Sequence, residues 1–455
     1  PLKNSSGSYV RYGGRISTGR VTIPVKYVPK SREVRGTWVA TVDNIDFPVH
    51  EDAASFRQDV IAMFNQLQAL NINTVFFQVR SMNDAFYPSR LNPPSRYLGG
   101  TEGRMFADFD PLAFLITEAH RRGIQFHAWL NPYRVSKNID KSKAAYLASL
   151  DYRNFARRNP AMVLEVVQNG KRQLILDPGE PMVVRFLLET VRELIRNYDL
   201  DGIHFDDYFY PYGGCGNADA RSFAHNNPRR LTLEDWRRDN INSLIFNIGK
   251  LIEAHNAASK KQVQFGISPF GIWRNSTGDA RGSLTAGSES YTIQHADTRR
   301  WIKEGWIDYI VPQVYWPFEH QVAAYAAVTD WWVQAVRGTK VNLYIGHSPS
   351  FYGNDPLWQN YREIPNQLRY NCKHPEIKGE VMFSAKSLLR PDNTPARKSR
   401  ELLREYWNVR VPPPPCGPYA PPAPTTPKPA APVPADSAAT QTQKNLPPVP
   451  KVVKP

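Results

Sequence analysis

Eight short apolar runs, separated by stretches of helical periodicity, constrain this chain more than any other feature. The runs cover residues 36–42, 73–80, 124–130, 202–208, 264–269, 309–315, 341–346 and 379–384. Helical patterns lie between them over 56–70, 111–122, 181–198, 233–255, 296–304, 321–336 and 361–370, and one over 394–407 closes the series. Strands that alternate with helices pair in parallel, because each crossover returns the chain to the same end of the sheet. Eight such units predict a closed (β/α)8 TIM barrel with long strand-to-helix loops.

Alternation within the runs separates an outer from an inner face. In the third run Ile124, Phe126, Ala128 and Leu130 alternate with Gln125, His127, Trp129 and Asn131. Val75, Phe77 and Val79 alternate with Phe76, Gln78 and Arg80, and Ile310, Pro312 and Val314 with Val311, Gln313 and Tyr315. The apolar parity suits the helix layer, and the polar or aromatic parity would line the lumen. A structural barrel fills its lumen with branched aliphatics, so His127, Trp129, Asn131, His204, Asp206, Gln313 and Tyr315 predict a functional mouth at the carboxyl end. The sharpest case is Asp201-Gly-Ile-His-Phe-Asp-Asp-Tyr208, where the strand ends in the adjacent carboxylates Asp206 and Asp207.

The segments that follow the strands share one chemistry. Asn131-Pro-Tyr133-Arg134, Tyr208-Phe-Tyr-Pro-Tyr212, Pro269-Phe-Gly-Ile-Trp273-Arg274 and Tyr315-Trp316-Pro-Phe318 place rings beside amides and guanidinium groups. Rings stack on the C–H faces of sugars, while amides and Arg hold hydroxyls or acidic substituents. A carbohydrate cleft is the expectation; loop packing alone is the plainer account of the same rings.

Composition divides the 455 residues into a basic arm (1–31), a globular body (32–410) and a Pro-rich tail (411–455) expected to be flexible. The arm holds six Lys/Arg and no acid within a net charge of +15. That balance suits an acidic polymer or an anionic surface, though solubility explains it as well. No nucleic-acid motif, phosphate loop or dinucleotide fingerprint is present, so neither a nucleic-acid partner nor a cofactor is expected. No run is long enough to span a bilayer, leaving a lipid anchor before Pro1 as the expected route to a membrane. Cys215, Cys372 and Cys416 are too scattered for a disulfide framework or a zinc cluster. Residues 135–174, between the third strand and its helix, should overhang the mouth, and Asp177-Pro-Gly-Glu180 reads as a turn and helix start.

Several ordered motifs resemble the bacterial glycosyl-hydrolase-like family. They include Arg35-Gly-Thr-Trp38, Asn73-Thr-Val-Phe-Phe-Gln78-Val, His127-Ala-Trp-Leu-Asn-Pro-Tyr-Arg134, Asp201-Gly-Ile-His-Phe-Asp-Asp-Tyr208, Gly266-Ile-Ser-Pro269, Trp273-Arg-Asn275, Ala296-Asp-Thr-Arg-Arg-Trp301 and Pro312-Gln-Val-Tyr-Trp-Pro317. The resemblance spans about residues 32–407. It implies a glycosidase of the cell envelope, periplasmic or lipid-anchored at the outer membrane, that cleaves peptide-free peptidoglycan strands and is distantly related to the α-amylase superfamily. That relation implies Asp206 as nucleophile, with His204 standing where amylases carry Arg. The amylase Glu after strand five is missing from Gly266-Ile-Ser-Pro-Phe-Gly271.

A glycosidase needs a second, protonated carboxyl group to assist the leaving oxygen. Glu289, from the long loop after strand five, is the first expectation. Asp207, Asp84 after strand two and Glu319 after strand six are the others, with Asp84 also a substrate contact. Two further readings stay open. His127, His204, Asp206 and Asp207 could meet around a metal, although their spacing matches no metal motif. A cleft without catalysis would make the chain a glycan-binding subunit, joined to an envelope partner through its arm or tail.

Overall fold

The computed structural model describes residues 1–168 and 170–415. The expected tail lies outside the described residues from Cys416 onward. In chain order the strands are β1 (Val34–Val39), β2 (Thr74–Arg80), β3 (Gln125–Leu130), β4 (Arg134–Ser136), β5 (Val163–Gln168), β6 (Lys171–Leu176), β7 (Gly202–Phe205), β8 (Gln264–Ile267), β9 (Tyr309–Ile310), β10 (Asn342–His347) and β11 (Ile377–Met382). Eight of them close into a barrel in the order β1-β2-β3-β7-β8-β9-β10-β11, every pairing parallel. The fold is the (β/α)8 TIM barrel that the eight repeated units predict.

Helices start where the side chains dictate. Asp110 accepts from the Leu112 and Ala113 amides ahead of helix Pro111–Arg121, and Thr232 caps helix Leu233–Ser259 through the Asp235 amide. Helix Pro181–Asn197 follows the Asp177-Pro-Gly-Glu turn as expected. Phe77, Phe126, Ala128, Ile203, Phe205, Ile267 and Ile310 point outward into one continuous core shared with those helices. Burying each large apolar side chain contributes about 1.5–3 kcal/mol.

The opposite parity builds a lumen of unusual composition. Trp38, Phe76, Trp129, Tyr309, Tyr344 and Val381 form a separate inner cluster. Large rings fit there because glycines face them. A Cβ on Gly202 would lie 2.3 Å from His127, one on Gly266 2.1 Å from the Tyr309 ring, and one on Gly36 3.0 Å from Phe76. Gly202 pairs with His127 and Gly266 with Tyr309 across the ladder, so register places each ring over a gap.

Strand β9 is shorter than the run 309–315 predicts. Pro312 has no N–H to donate, so the regular ladder stops at Ile310, and isolated bridges at Gln313 continue toward Phe270 and Gly346. Residues 134–176 contain a three-stranded antiparallel sheet in the order β4-β6-β5.

Residues 1–31 lie along the barrel. Asn4 donates to Glu319 beyond β9 and the Tyr12 hydroxyl to Asp330, while Arg369 donates to the Pro24 carbonyl and Tyr27 stacks on Tyr406 at 4.5 Å. Val10 and Val21 are buried in the main core.

Candidate active site

The lumen carries a directed hydrogen-bond chain. Trp38 Nε1, which can only donate, lies 3.1 Å from His204 Nε2. That nitrogen therefore accepts, with the Ser268 hydroxyl also 3.0 Å away, and His204 Nδ1 carries the proton toward the Tyr309 hydroxyl at 3.1 Å. The Tyr309 hydroxyl in turn donates to His127 Nδ1 at 2.9 Å. Both imidazoles are neutral. Burial pulls His127 down to about 4, against the pull of Asp201, and carries His204 well below its ordinary value, helped by His127.

Asp206 sits on this stack at the carboxyl end of β7. Trp129 Nε1 donates to its Oδ2 at 3.0 Å, Asn131 Nδ2 lies 3.3 and 3.2 Å from its two oxygens, and the Tyr208 amide is 3.4 Å from Oδ1. Burial raises its pKa, opposed by the Arg134 charge and these N–H groups. Asp207 turns the other way, toward the Tyr212 hydroxyl, which donates to it, and toward Gln313. Burial first, then the neighbouring Asp206 charge, push Asp207 up to about 7, against Gln313 and Arg134. Adjacent in sequence, the two carboxyls thus have contrasting partners: Asp206 is met by N–H donors, and Asp207 faces a phenol and an amide.

Rings edge this pair. Tyr208, Tyr212, Phe270 and Trp316 meet edge to face in sequence at 5.4, 5.8 and 5.4 Å. Tyr208 is 39% exposed, and the Arg134 guanidinium lies 4.1 Å from its centroid. Such a rim presents apolar faces beside two acids and a cation, which suits a sugar polymer.

Sequence comparison agrees with the rim. The sequence model described as glycosyl hydrolase-like 10 matches residues 33–358. The chain belongs to that family. It is 38% identical to "Glycosyl hydrolase YngK" of Bacillus subtilis (strain 168), over 85% of this chain and 75% of the relative. It is 35% identical to "Glycosyl hydrolase DigH" of Escherichia coli (strain K12), over 84% and 89% of the two chains. The glycoside hydrolase domain of PgaB (BpsB) from Bordetella bronchiseptica has the same fold, with TM-score 0.52, 14% identity, and 82% and 99% of the chains covered. Family membership makes the chain a glycosidase.

In this glycosyl hydrolase-like 10 member the expected site residues fall into three groups. Trp129, Asn131, Arg134, Asp206, Asp207, Tyr208, Gln313, Tyr315 and Trp316 gather at the mouth. Tyr315 packs its ring near Phe351 and Phe383. Trp38, His127 and His204 lie within the lumen, buried and linked by hydrogen bonds through Tyr309. Gln78 is buried with them. Its Oε1 accepts from the Thr41 and Val42 amides, and its Nε2 has no partner.

The rest are engaged by partners of their own. Asp84 accepts from the Ser81 and Met82 amides and the Ser95 hydroxyl, which makes it the knot of its own loop. Tyr133 is wholly buried in the main core, with its backbone carbonyl bonded to Leu176. Trp273 stacks on Trp331 at 5.7 Å, and Arg274 pairs with Asp279 at 2.9 Å. Glu289 belongs to the same cluster as Arg274. It accepts from the Asn275 amide at 2.8 Å and the Thr292 hydroxyl at 2.7 Å, with Arg274 3.8 Å away. Although burial acts to raise it, those donors and Arg274 hold its pKa below the ordinary value, the reverse of what a proton donor requires. Glu319, the remaining expectation, accepts from Asn4 of the arm.

Sequence reading passed over Tyr212, Ser268 and Tyr309. Tyr212 stands within the aromatic run 208–212, and Tyr309 opens the lumen parity of the sixth run, so position alone marks both. Ser268 shares the lumen parity of Gly266 in the fifth run. Among the described residues no group of three His, Cys, Asp or Glu is arranged to hold a metal ion.

Proposed function

We propose that this glycosidase hydrolyses bacterial cell-wall glycan, and peptide-free peptidoglycan strands in particular, with Asp206 as nucleophile and Asp207 as acid and base. The observation that carries the reading is the contrast between the two adjacent carboxyls. Asp206 is met by three N–H donors and the Arg134 charge, all of which favour its ionised form. Asp207, pushed up to about 7, keeps a proton. Two acids separated in this way divide the labour of a glycosidase.

Asp207 gives its proton to the leaving oxygen as the C–O bond breaks, while Asp206 bonds to the anomeric carbon. Asp207, now ionised, takes a proton from water as that water displaces Asp206, so the product retains its anomeric configuration and both carboxyls return to their starting states. Trp129 and Asn131 hold Asp206 in place throughout. A wall-glycan substrate would be met in the bacterial envelope, a reading that the envelope family resembled by its motifs also supports.

Wild-type protein and Asp206→Asn are incubated with denuded strands and with intact peptidoglycan, and products are read by mass spectrometry. Shorter saccharides from denuded strands with wild type alone are expected, with the variant slowed by a factor of about 10³ or more. Equal cleavage by both proteins removes Asp206 from the chemistry, and no product from either removes wall glycan as substrate.

A further inference from the structure

The Arg134 charge favours the ionised forms of Asp206 and Asp207 without closing an ion pair with either. Arg134 is 8% exposed and stands on β4, which pairs with β6 at Ile175. Other buried arginines have carboxylates of their own: Arg35 has Glu33, Arg122 has Glu118, and Arg237 has Asp219. Arg80, without one, is met by the Asn131 and Pro132 carbonyls and by Asn83 and Asn92. Arg134 has the Tyr208 ring, and among the described residues no carboxylate closes an ion pair with it.

Its guanidinium borders a cleft of about 170 Å³, shared with Lys137, Gln173, Ile175 and the loop after β7. A cleft of that size has room for a small acidic substituent. A fork-shaped cation, an ammonium and an amide around such a space match the acceptor geometry of a carboxylate. Lys137 is itself paired with Asp43, which leaves Arg134 as the cation with capacity to spare.

We infer that this cleft is a subsite for a free carboxylate on the sugar beside the scissile bond, with Arg134 as its bidentate partner. The inference rests on the proposed function and sharpens its substrate. A strand whose sugar acids are free would be held by charge-assisted bonds. Where a peptide has converted the acid into an amide, the charge is gone, so peptide-bearing strands are disfavoured at this one position. A bound carboxylate would also offset the positive charge that holds Asp207 down, so proton donation would extend to higher pH in the complex than in the free enzyme.

The test uses the full chain as wild type, Arg134→Gln and Arg134→Lys. The probes are denuded glycan strands and the same strands with their carboxylates converted to methylamides. For wild type, kcat/KM is expected to be about ten- to a hundredfold higher on the free acid, as for a bond to a charged group of about 1.5–3 kcal/mol. In Arg134→Gln the two probes should fall within about twofold of each other, with Arg134→Lys between. Calorimetric binding of both probes reads the same preference without turnover. Cleavage without any preference in wild type, or a preference unchanged in Arg134→Gln, overturns the subsite and leaves the glycosidase. Preferential binding without cleavage upholds the subsite and overturns the proposed reaction. Thermal unfolding of each variant separates lost recognition from lost folding, and Arg134→Lys carries the test should Arg134→Gln not fold.

Discussion

Asp207 holds its proton up to about pH 7, whereas in the unfolded chain an aspartate gives it up near 3.8. Its folded pKa is therefore raised. The stability it contributes is fully present below the unfolded value and is lost as pH rises through the folded one, at about 1.4 kcal/mol for each pH unit that separates the two. Asp207→Asn should accordingly unfold at a higher temperature than wild type at pH 8, with the difference shrinking by pH 5, as scanning calorimetry at the two pH values would show. The same substitution should cost about 10²–10⁴-fold in turnover of wall glycan. The loss should be far smaller on aryl glycosides whose leaving group needs no proton. A comparable loss on both substrates would remove Asp207 from the acid role. The kcat/KM of wild type should fall as pH rises past about 7, because the deprotonated free enzyme has nothing to give the leaving oxygen. At this scale the sequence is half informative. The end of a strand marks the Asp206–Asp207 pair, but the choice of acid depends on which oxygens are already occupied. Glu289 and Asp84 look free in sequence, and only tertiary hydrogen bonds show that both are engaged.

At the scale of elements, parity is the legible property. Alternation within 73–80 and 124–131 separates lumen from helix layer because one face must be dry and the other must receive rings. What sequence alone conceals is the pairing of large with small across the ladder. His127 stands over Gly202 and Tyr309 over Gly266, and neither glycine announces a partner 75 or 43 residues away. Gly202→Ala drives a methyl into the His127 ring, so it should cost about 1–3 kcal/mol in denaturant unfolding. It should also lower turnover by tilting the Trp38–His204–Tyr309–His127 chain under Asp206. An alanine at Gly305, where nothing lies within 4 Å, would meet no side chain. Its positive φ of 66° makes it a control for backbone strain without crowding. Boundaries are the weaker part of the reading: the end of β9 at Ile310 comes from Pro312, whose effect on a ladder depends on which neighbour needs its missing donor.

Over the whole molecule, the basic arm is part of the barrel's surface. Deleting residues 1–29 removes two buried valines, each contributing about 1.5–3 kcal/mol, together with the bonds to Glu319, Asp330 and Arg369. The expected result is a lower unfolding temperature with Asp206 chemistry retained below it, measured by calorimetry alongside turnover of denuded strands. The arm runs from the loop beyond β9 at Asn4 to the start of β11, where Lys30 reaches the Ile377 carbonyl. On the way it crosses helices Tyr325–Val336 and Glu363–Asn371. Mechanically this is a ring clamped along one arc. The β9–β11 sector is strapped from rim to floor, so compliance is left to the opposite arc, where the β4–β6 sheet carries Arg134 beside the acids. A polymer entering the mouth would be accommodated by hinging on that side alone, like a jaw with one fixed half, and amide exchange should run faster through 134–176 than through 342–382.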